Sequence, residues 1–171
     1  SRELMCDQLT GTLNKRAFTR TLTGEIASND SAEVGFVLAI VDIDDFKQLN
    51  DRCGHLAGDR ALIALADHIK KSLRTNDVIA RFGGDEFVLI LRHLGPKETS
   101  RQIVQTIFQR IVKTGLPNTI EFDAIHISMG AAFWPEDARE AQDLFMVADE
   151  QLYRAKRSGK RRLCIKDDLE S

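Results

Sequence analysis

The sequence predicts an α/β chain of the α+β kind: a βαββαβ core whose central mixed sheet is flanked by helices. Three observations carry this. Residues 35–41, Gly-Phe-Val-Leu-Ala-Ile-Val, form a continuous apolar run, as expected of a strand buried on both faces. The runs Val78-Ile79-Ala80 and Val88-Leu89-Ile90-Leu91 flank Arg81-Phe82-Gly83-Gly84-Asp85-Glu86-Phe87. Two glycines between short apolar runs are a hairpin signal, because glycine reaches the positive φ that tight primed turns need. Segments with helical periodicity alternate with these strands.

Taken in order, Asn14 is a good N-cap for a helix carrying Phe18, Leu22 and Ile26 at spacings of four. Residues 27–33 read as a polar loop around Asn29-Asp30-Ser31 before the first strand. Residues 59–73 read as a helix with Leu62, Leu65, Ala66 and Ile69 on one face. The hairpin supplies two strands. Residues 96–114 read as a helix with Ile103, Ile107 and Ile111 as its apolar stripe, and Pro117 and Asn118 mark a loop. Residues 122–133 read as a strand that bends near Gly130. Residues 141–157 form an amphipathic helix through Leu144, Ala148, Leu152 and Ala155, and residues 162–165 a last edge strand.

The 171 residues suffice for one domain with a full core. A formal net charge of −2 gives no basic field to attract nucleic acid. Cys6, Cys53 and Cys164 are odd in number and lack metal-ligand spacing, which fits reduced thiols in a cytoplasmic setting. No run reaches transmembrane length, and no signal segment opens the chain. The chain reaches its first motif within a few residues of Ser1. It is therefore expected to be the C-terminal module of a longer signalling protein, with a sensor or dimerisation part upstream and room there for a membrane tether.

Chemistry concentrates in two acidic clusters. Asp85 and Glu86 follow the glycine turn where a strand begins. Adjacent carboxylates repel and are poor strand formers, so a divalent cation with a phosphate ligand is their natural neutraliser. The first strand runs into Asp42-Ile43-Asp44-Asp45-Phe46-Lys47. Carboxylates ending a buried strand beside a carboxylate hairpin can share one metal site. Asp44 and Asp45 are expected to be solvated or to stand behind the ligands.

These stretches resemble the GGDEF family, the diguanylate cyclases that join two GTP into cyclic di-GMP. The resemblance spans nearly the whole chain, in the family's order. It runs from Asp7-Gln8-Leu9-Thr10 through 42–51, Gly54-His55-Leu56-Ala57-Gly58-Asp59 and the hairpin to Ser128-Met129-Gly130 and residues 148–156. It implies a palm-like core similar to nucleotidyl cyclases, and two Mg²⁺ or Mn²⁺ ions per site. Their ligands would be Asp42, Asp85 and the carbonyl of Ile43. Asp85 would help deprotonate the attacking hydroxyl. Glu86 is second choice for that role, and Lys47 would face the phosphates.

Asn50 and Asp59 match the guanine-recognising positions. A carboxylate accepts both N1–H and N2–H of guanine, and leaving it unpaired penalises adenine. Asp59 also reads as a helix N-cap. His55 matches a pocket residue, with a structural histidine as the equal alternative, and Gly54 and Gly58 would let the loop pass close to the base. Lys156 and Lys160 would clamp the triphosphate. The family usually has Gly-Arg-Asn where this chain has Gly159-Lys160-Arg161, and a lysine lacks the bidentate fork. Arg74 and Asp77 match the family's inhibitory product site; the plain alternative is a helix-end ion pair.

The resemblance further implies a homodimer for activity, with GTP as substrate and cyclic di-GMP as product and inhibitor. A catalytically silent GGDEF module that binds GTP or cyclic di-GMP as a receptor is the main competitor. Loss of Asp42, Asp85 or the glycines would signal it, and all are present. A cyclase making a hybrid GMP–AMP product is expected to change Asp59, and a polymerase palm to carry a basic groove.

Overall fold

A computed structural model describes residues 4–30, 34–113 and 125–167 of the chain. The elements follow in the order α1 (Lys15–Asp30), β1 (Gly35–Ile43), α2 (Phe46–Cys53), α3 (His55–Ser72), β2 (Val78–Gly83), β3 (Glu86–Leu94), α4 (Lys97–Lys113), β4 (Ile127–Trp134), α5 (Ala141–Arg157) and β5 (Leu163–Ile165). The five strands form one sheet in the order β2-β3-β1-β4-β5. It is mixed: β1 is antiparallel to β3 and β4, β2 to β3, and only β4 and β5 run parallel. The expected βαββαβ core is present, extended by α1 before it and by α5 and β5 after it.

β1 shows why the central strand reads as an unbroken apolar run. Side chains alternate between faces. Val37, Ala39, Val41 and Ile43 join a cluster with Leu62, Leu65 and Ile69 of α3 and Val104, Ile107 and Ile111 of α4. Phe36, Leu38 and Ile40 join a second cluster with Phe18 and Leu22 of α1 and Leu144, Ala148 and Leu152 of α5. Both faces are buried, so no polar residue interrupts the strand until Asp42. Each fully buried large apolar side chain contributes about 1.5–3 kcal/mol, and the inner positions of β1 are almost wholly shielded.

Several elements depart from expectation. α1 continues through residues 27–30, where a loop is predicted; Asn29 is buried and returns hydrogen bonds to Glu25, which lets a polar stretch stay helical. α2 is not foreshadowed at all. α3 starts at His55, with Gly54 at its N-cap, so Asp59 lies inside the helix and does not cap it. Gly58 likewise belongs to the helix and not to a loop. On α4 the buried face runs through Ser100, Val104, Ile107, Phe108 and Ile111, and Ile103 is exposed.

β4 pairs with β1 in unbroken register from Ile127 to Trp134, so it has no bend at Gly130. That glycine serves packing instead. A Cβ there would lie 2.2 Å from the Leu152 nitrogen and 2.3 Å from the Ala148 oxygen, so α5 rests its backbone on β4. The predicted loop at Pro117 and Asn118, and residues 122–124 of the predicted strand, lie outside the described residues. This framework puts the end of β1, the β2–β3 turn, the α2–α3 pair and the end of α5 on one rim of the sheet.

Candidate active site

Asp42 is the last-but-one residue of β1 and faces Glu86 across the β1–β3 ladder. The turn before Glu86 therefore brings the Asp85 carboxyl close enough to Asp42 to act on its titration. Burial, then the Asp85 hydrogen bond and charge, push the Asp42 carboxyl up to about 8, against the opposing pull of Lys156. Its Oδ1 is buried with no hydrogen-bond partner among the described residues. Burial also raises the Glu86 carboxyl, helped by the charges of Asp149 and Asp85 and opposed by Lys15.

A cation already sits at this junction. The Lys156 ammonium lies 3.4 Å from Asp42 Oδ2, 3.0 Å from Asp44 Oδ1 and 3.3 Å from the Ile43 carbonyl oxygen. A positive charge thus rests among the oxygens expected to ligate metal. The orphaned Asp42 oxygen and this all-oxygen donor set, completed by Asp85, fit a hard divalent ion. Among the described residues no group of three or more His, Cys, Asp or Glu side chains stands ready for a metal; the set here depends on two carboxylates and a main-chain carbonyl.

Of the two places expected for Asp44, in solvent or behind the ligands, it takes the second. Its side chain is only 3% exposed. It accepts from Ser128 Oγ at 2.7 Å and from the Arg161 backbone N–H at 3.0 Å, besides Lys156. It therefore ties the end of β1 to β4, to α5 and to the turn after α5. Asp45 is exposed but not free: it pairs with Lys160, which holds its carboxyl below the ordinary range and raises the lysine. Asp45, Lys160 and Arg161 all adopt positive φ, at 58°, 63° and 53°. Non-glycine residues pay a strain there that surrounding contacts must hold. A cavity of about 480 Å³ opens beside this pair, between α2, His126 and the 159–161 turn.

α2 and α3 carry the residues expected to read the base. Asn50 on α2 and Asp59 on α3 are both half-buried. Lys47 is exposed in the first turn of α2, and His55 is exposed at the first residue of α3.

The hairpin turn is held from outside. Gly83 and Gly84 have φ of 119° and 53°, and a Cβ on either would touch nothing within 4 Å among the described residues, so backbone conformation alone demands glycine. Arg81 donates through Nε and Nη2 to the Gly84 carbonyl at 3.1 and 2.8 Å, and through Nη1 to Asp7 at 3.1 Å. Asp7 in turn accepts from the Thr10 N–H and hydroxyl. Leu13 runs alongside β2, exchanging hydrogen bonds with Ile79 and Arg81.

The family model for the diguanylate cyclase GGDEF domain matches residues 4–162. This chain belongs to the GGDEF family. It is 38% identical over 160 residues to the diguanylate cyclase DgcP of Pseudomonas aeruginosa, covering 93% of this chain and 23% of that protein. It is 35% identical over 162 residues to the diguanylate cyclase DosC of Escherichia coli, covering 94% and 35%. The chain thus spans about a third or less of these two relatives. Among solved structures, the GGDEF domain of PA1120 from P. aeruginosa superposes with a TM-score of 0.86 at 29% identity, covering 95% of this chain and 94% of that one. The GGDEF domain of DgcB from Caulobacter crescentus, solved with c-di-GMP, gives 0.82 at 28%, covering 96% and 97%.

Away from the carboxylates, this GGDEF domain carries Arg74 and Asp77 between α3 and β2. Asp77 is 1% exposed at its side chain and Arg74 40%. Both Asp77 oxygens are occupied. Oδ2 accepts the Arg74 N–H and Nε at 2.9 and 3.0 Å; Oδ1 accepts Arg74 Nη2 at 2.9 Å and the Arg92 N–H at 3.1 Å. The plain helix-end ion pair is therefore present, and Asp77 presents Arg74 outward. Arg92 extends the group, reaching Glu25 of α1 at 2.7 Å and the Asn76 carbonyl at 3.2 Å.

The use of two members of the site is not legible in the sequence. Ser128 stands in the Ser128-Met129-Gly130 stretch, but only its 2.7 Å contact with Asp44 shows what it does. Arg81 stands in the signature stretch, but its link to Asp7 is 74 residues long in sequence.

Proposed function

We propose that this GGDEF domain condenses two GTP into cyclic di-GMP with release of two pyrophosphates. The observation that carries the reading is the half-buried Asp42–Asp85 carboxyl pair beside the Ile43 carbonyl and the Lys156 ammonium. In each of two steps, the 3′-oxygen of one GTP bonds to the α-phosphorus of the other. The bond to the pyrophosphate oxygen breaks, and the hydroxyl proton leaves toward Asp85. The enzyme's task is to position the nucleotides and neutralise charge, as in phosphoryl transfer generally.

Asp42, Asp85 and the Ile43 carbonyl are the groups that would hold Mg²⁺ or Mn²⁺. Such ions, two per site, supply charge neutralisation at the attacking and leaving oxygens. Lys47, Lys156 and Lys160 are the cations that would neutralise the phosphates. For Lys160 to do so it must exchange its Asp45 partner for phosphate oxygens. Asn50 and Asp59 select guanine, and His55, exposed at the start of α3, is the further candidate for contact with the nucleotide. Glu86 keeps the carboxylate turn in shape.

One domain offers one set of these groups, so two nucleotides require two domains face to face, and the active form is a homodimer. Arg74, presented by Asp77, binds the product as an inhibitor. A solved relative with c-di-GMP bound supports this reading, and the diguanylate cyclase SiaD solved with its activator SiaC is a relative that takes a protein partner. No described helix is long and apolar enough to cross a membrane.

Incubation with GTP and Mg²⁺, followed by mass analysis, should yield cyclic di-GMP. Asp85→Ala should abolish turnover while leaving the fold intact. A folded Asp85→Ala protein with near-normal activity would remove Asp85 from its role; absence of any cyclic dinucleotide from a dimerised wild type would favour a receptor instead.

A further inference from the structure

Asp45 stands at the N-cap of α2, yet its carboxylate accepts no capping hydrogen bond from that helix. An aspartate in that position ordinarily accepts from the N–H groups of the first turn. Here the carboxylate turns to the Lys160 ammonium, 115 residues away in sequence. Four non-glycine residues adopt positive φ among the described residues, and three of them, Asp45, Lys160 and Arg161, meet at this contact. Such conformations persist only where surrounding contacts hold them, and they cluster at functional places. The holding contacts are present: the Lys160 N–H donates to the Ala155 carbonyl, and the Arg161 N–H to Asp44 Oδ2. Two strained turns, one before α2 and one after α5, are thus fixed so that an acid and a cation face each other. The Asp45 and Lys160 side chains remain 46% and 40% exposed, so an incoming anion can reach the pair. An ion pair this exposed adds little to stability, and stability alone does not account for strained backbone on both sides of it.

We infer that Asp45 is an internal competitor for the triphosphate: its carboxylate holds the Lys160 ammonium, a nucleotide phosphate must take its place, and Asp45 thereby sets the affinity for nucleotide. The inference rests on the proposed function, in which Lys160 serves the phosphates. A carboxylate and a phosphate offer a lysine the same thing, anionic oxygens that accept charge-assisted hydrogen bonds. The ammonium is a point charge on a flexible stem, so it can pass from one to the other while the turn that carries it stays still. Lys156 is held differently. Its partner Asp44 is 3% exposed and is tied to Ser128 and to the Arg161 N–H as well. The clamp therefore combines one cation anchored from below with one cation latched at the surface. Because the latch is an exposed pair, it lowers affinity by a small factor and does not shut the site.

The test is a binding cycle on the full chain by calorimetry, with two probes, a non-hydrolysable GTP analogue and inorganic triphosphate, each with Mg²⁺. Asp45→Asn keeps the shape, tolerates the left-handed φ and removes the charge. It is compared with wild type, Lys160→Ala and the double variant. Asp45→Asn should bind both probes about two- to fivefold more tightly than wild type, a gain that loss of a structural contact does not produce. Asp45→Gly, which suits the same φ, should tighten binding likewise. In the Lys160→Ala background, Asp45→Asn should add nothing. Unchanged or weakened binding in both Asp45 variants overturns the inference. So does equal tightening in both backgrounds, because Asp45 then repels the phosphates directly and Lys160 has no part. If wild type binds inorganic triphosphate as tightly as the GTP analogue, the guanine site of the proposed function falls, and the latch is still decided by the Asp45 variants. If neither wild type nor Asp45→Asn binds either probe, the phosphate site and the latch fall together.

Discussion

The Lys156 ammonium stands 3.0 Å from Asp44, a carboxylate that the fold encloses almost completely. Asp44 also receives Ser128 and the Arg161 N–H. It therefore fixes both the lysine and the turn that carries Lys160. Asp44→Asn keeps the shape and removes the charge. We expect it to raise the KM for GTP roughly tenfold and to cost about 1–3 kcal/mol of stability, whereas Ser128→Ala should cost about 1 kcal/mol. Steady-state kinetics and denaturant unfolding check this; an unchanged KM would detach Asp44 from the phosphate clamp.

Metal binding should depend on proton release. The Asp42 carboxyl is pushed up from 3.8 to about 8, chiefly by burial and then by Asp85. A carboxyl raised in the fold stabilises it fully while protonated in both states, below about 4, and that contribution is lost as pH climbs toward 8. The metal-free domain should therefore lose thermal stability between roughly pH 5 and 8. A cation displaces the proton, so Mn²⁺ should raise the melting temperature more at high than at low pH, compared with a chelator control. A metal response independent of pH would speak against a proton held on Asp42 in the metal-free domain.

Guanine preference should fall in Asp59→Ser. If the half-buried Asp59 carboxylate is the charged acceptor for the base, as proposed, its loss should reduce discrimination between GTP and ATP by roughly 10–100-fold. Competition between the two nucleotides measures it directly. Unaltered discrimination would assign selection to other groups.

Product inhibition should be relieved by Arg74→Ala with little change in initial rate, since Arg74 lies away from the Asp42–Asp85 pair. The same variant leaves the buried Asp77 without two of its hydrogen bonds, those from Arg74 Nε and Nη2, while the bond from the backbone N–H of residue 74 remains. A stability loss of about 1–3 kcal/mol is expected. Inhibition persisting at the same product concentration would leave Arg74 and Asp77 as a helix-end pair only.

Activity should rise with protein concentration, because two domains must meet. Fusing a parallel dimeric coiled coil ahead of Ser1 brings the effective concentration to the order of millimolar and should raise specific activity. High activity in the unfused chain, constant on dilution, would contradict a dimeric site.

The legible parts of the sequence are those where burial imposes a period. The heptad-like spacing on α5 and the two-faced burial of β1 leave few alternatives. α2 has no buried residue, so no apolar stripe announces it, and the early start of α3 hides behind Gly54. Within the site, Asp42 and Asp85 stand out by type and position. Asp44 and Asp45 do not differ in local composition. Their opposite fates are set by Ser128, Lys156 and Lys160, more than 80 residues away. Local pattern carries no information about such distant partners, whereas a charge ending an apolar strand is visible where it stands.

Arg81 spends one guanidinium on two attachments, the Gly84 carbonyl and the Asp7 carboxylate. The entry of the chain into the domain and the turn bearing the carboxylates are thereby joined by a strut the length of a single side chain. Leu13, laced to β2 on both sides, stiffens the same path. Torque applied near Asp7 reaches the turn without crossing the hydrophobic interior, and load on the turn returns by the same route. The carboxylate turn and the segment around Asp7 are thus set by one and the same side chain.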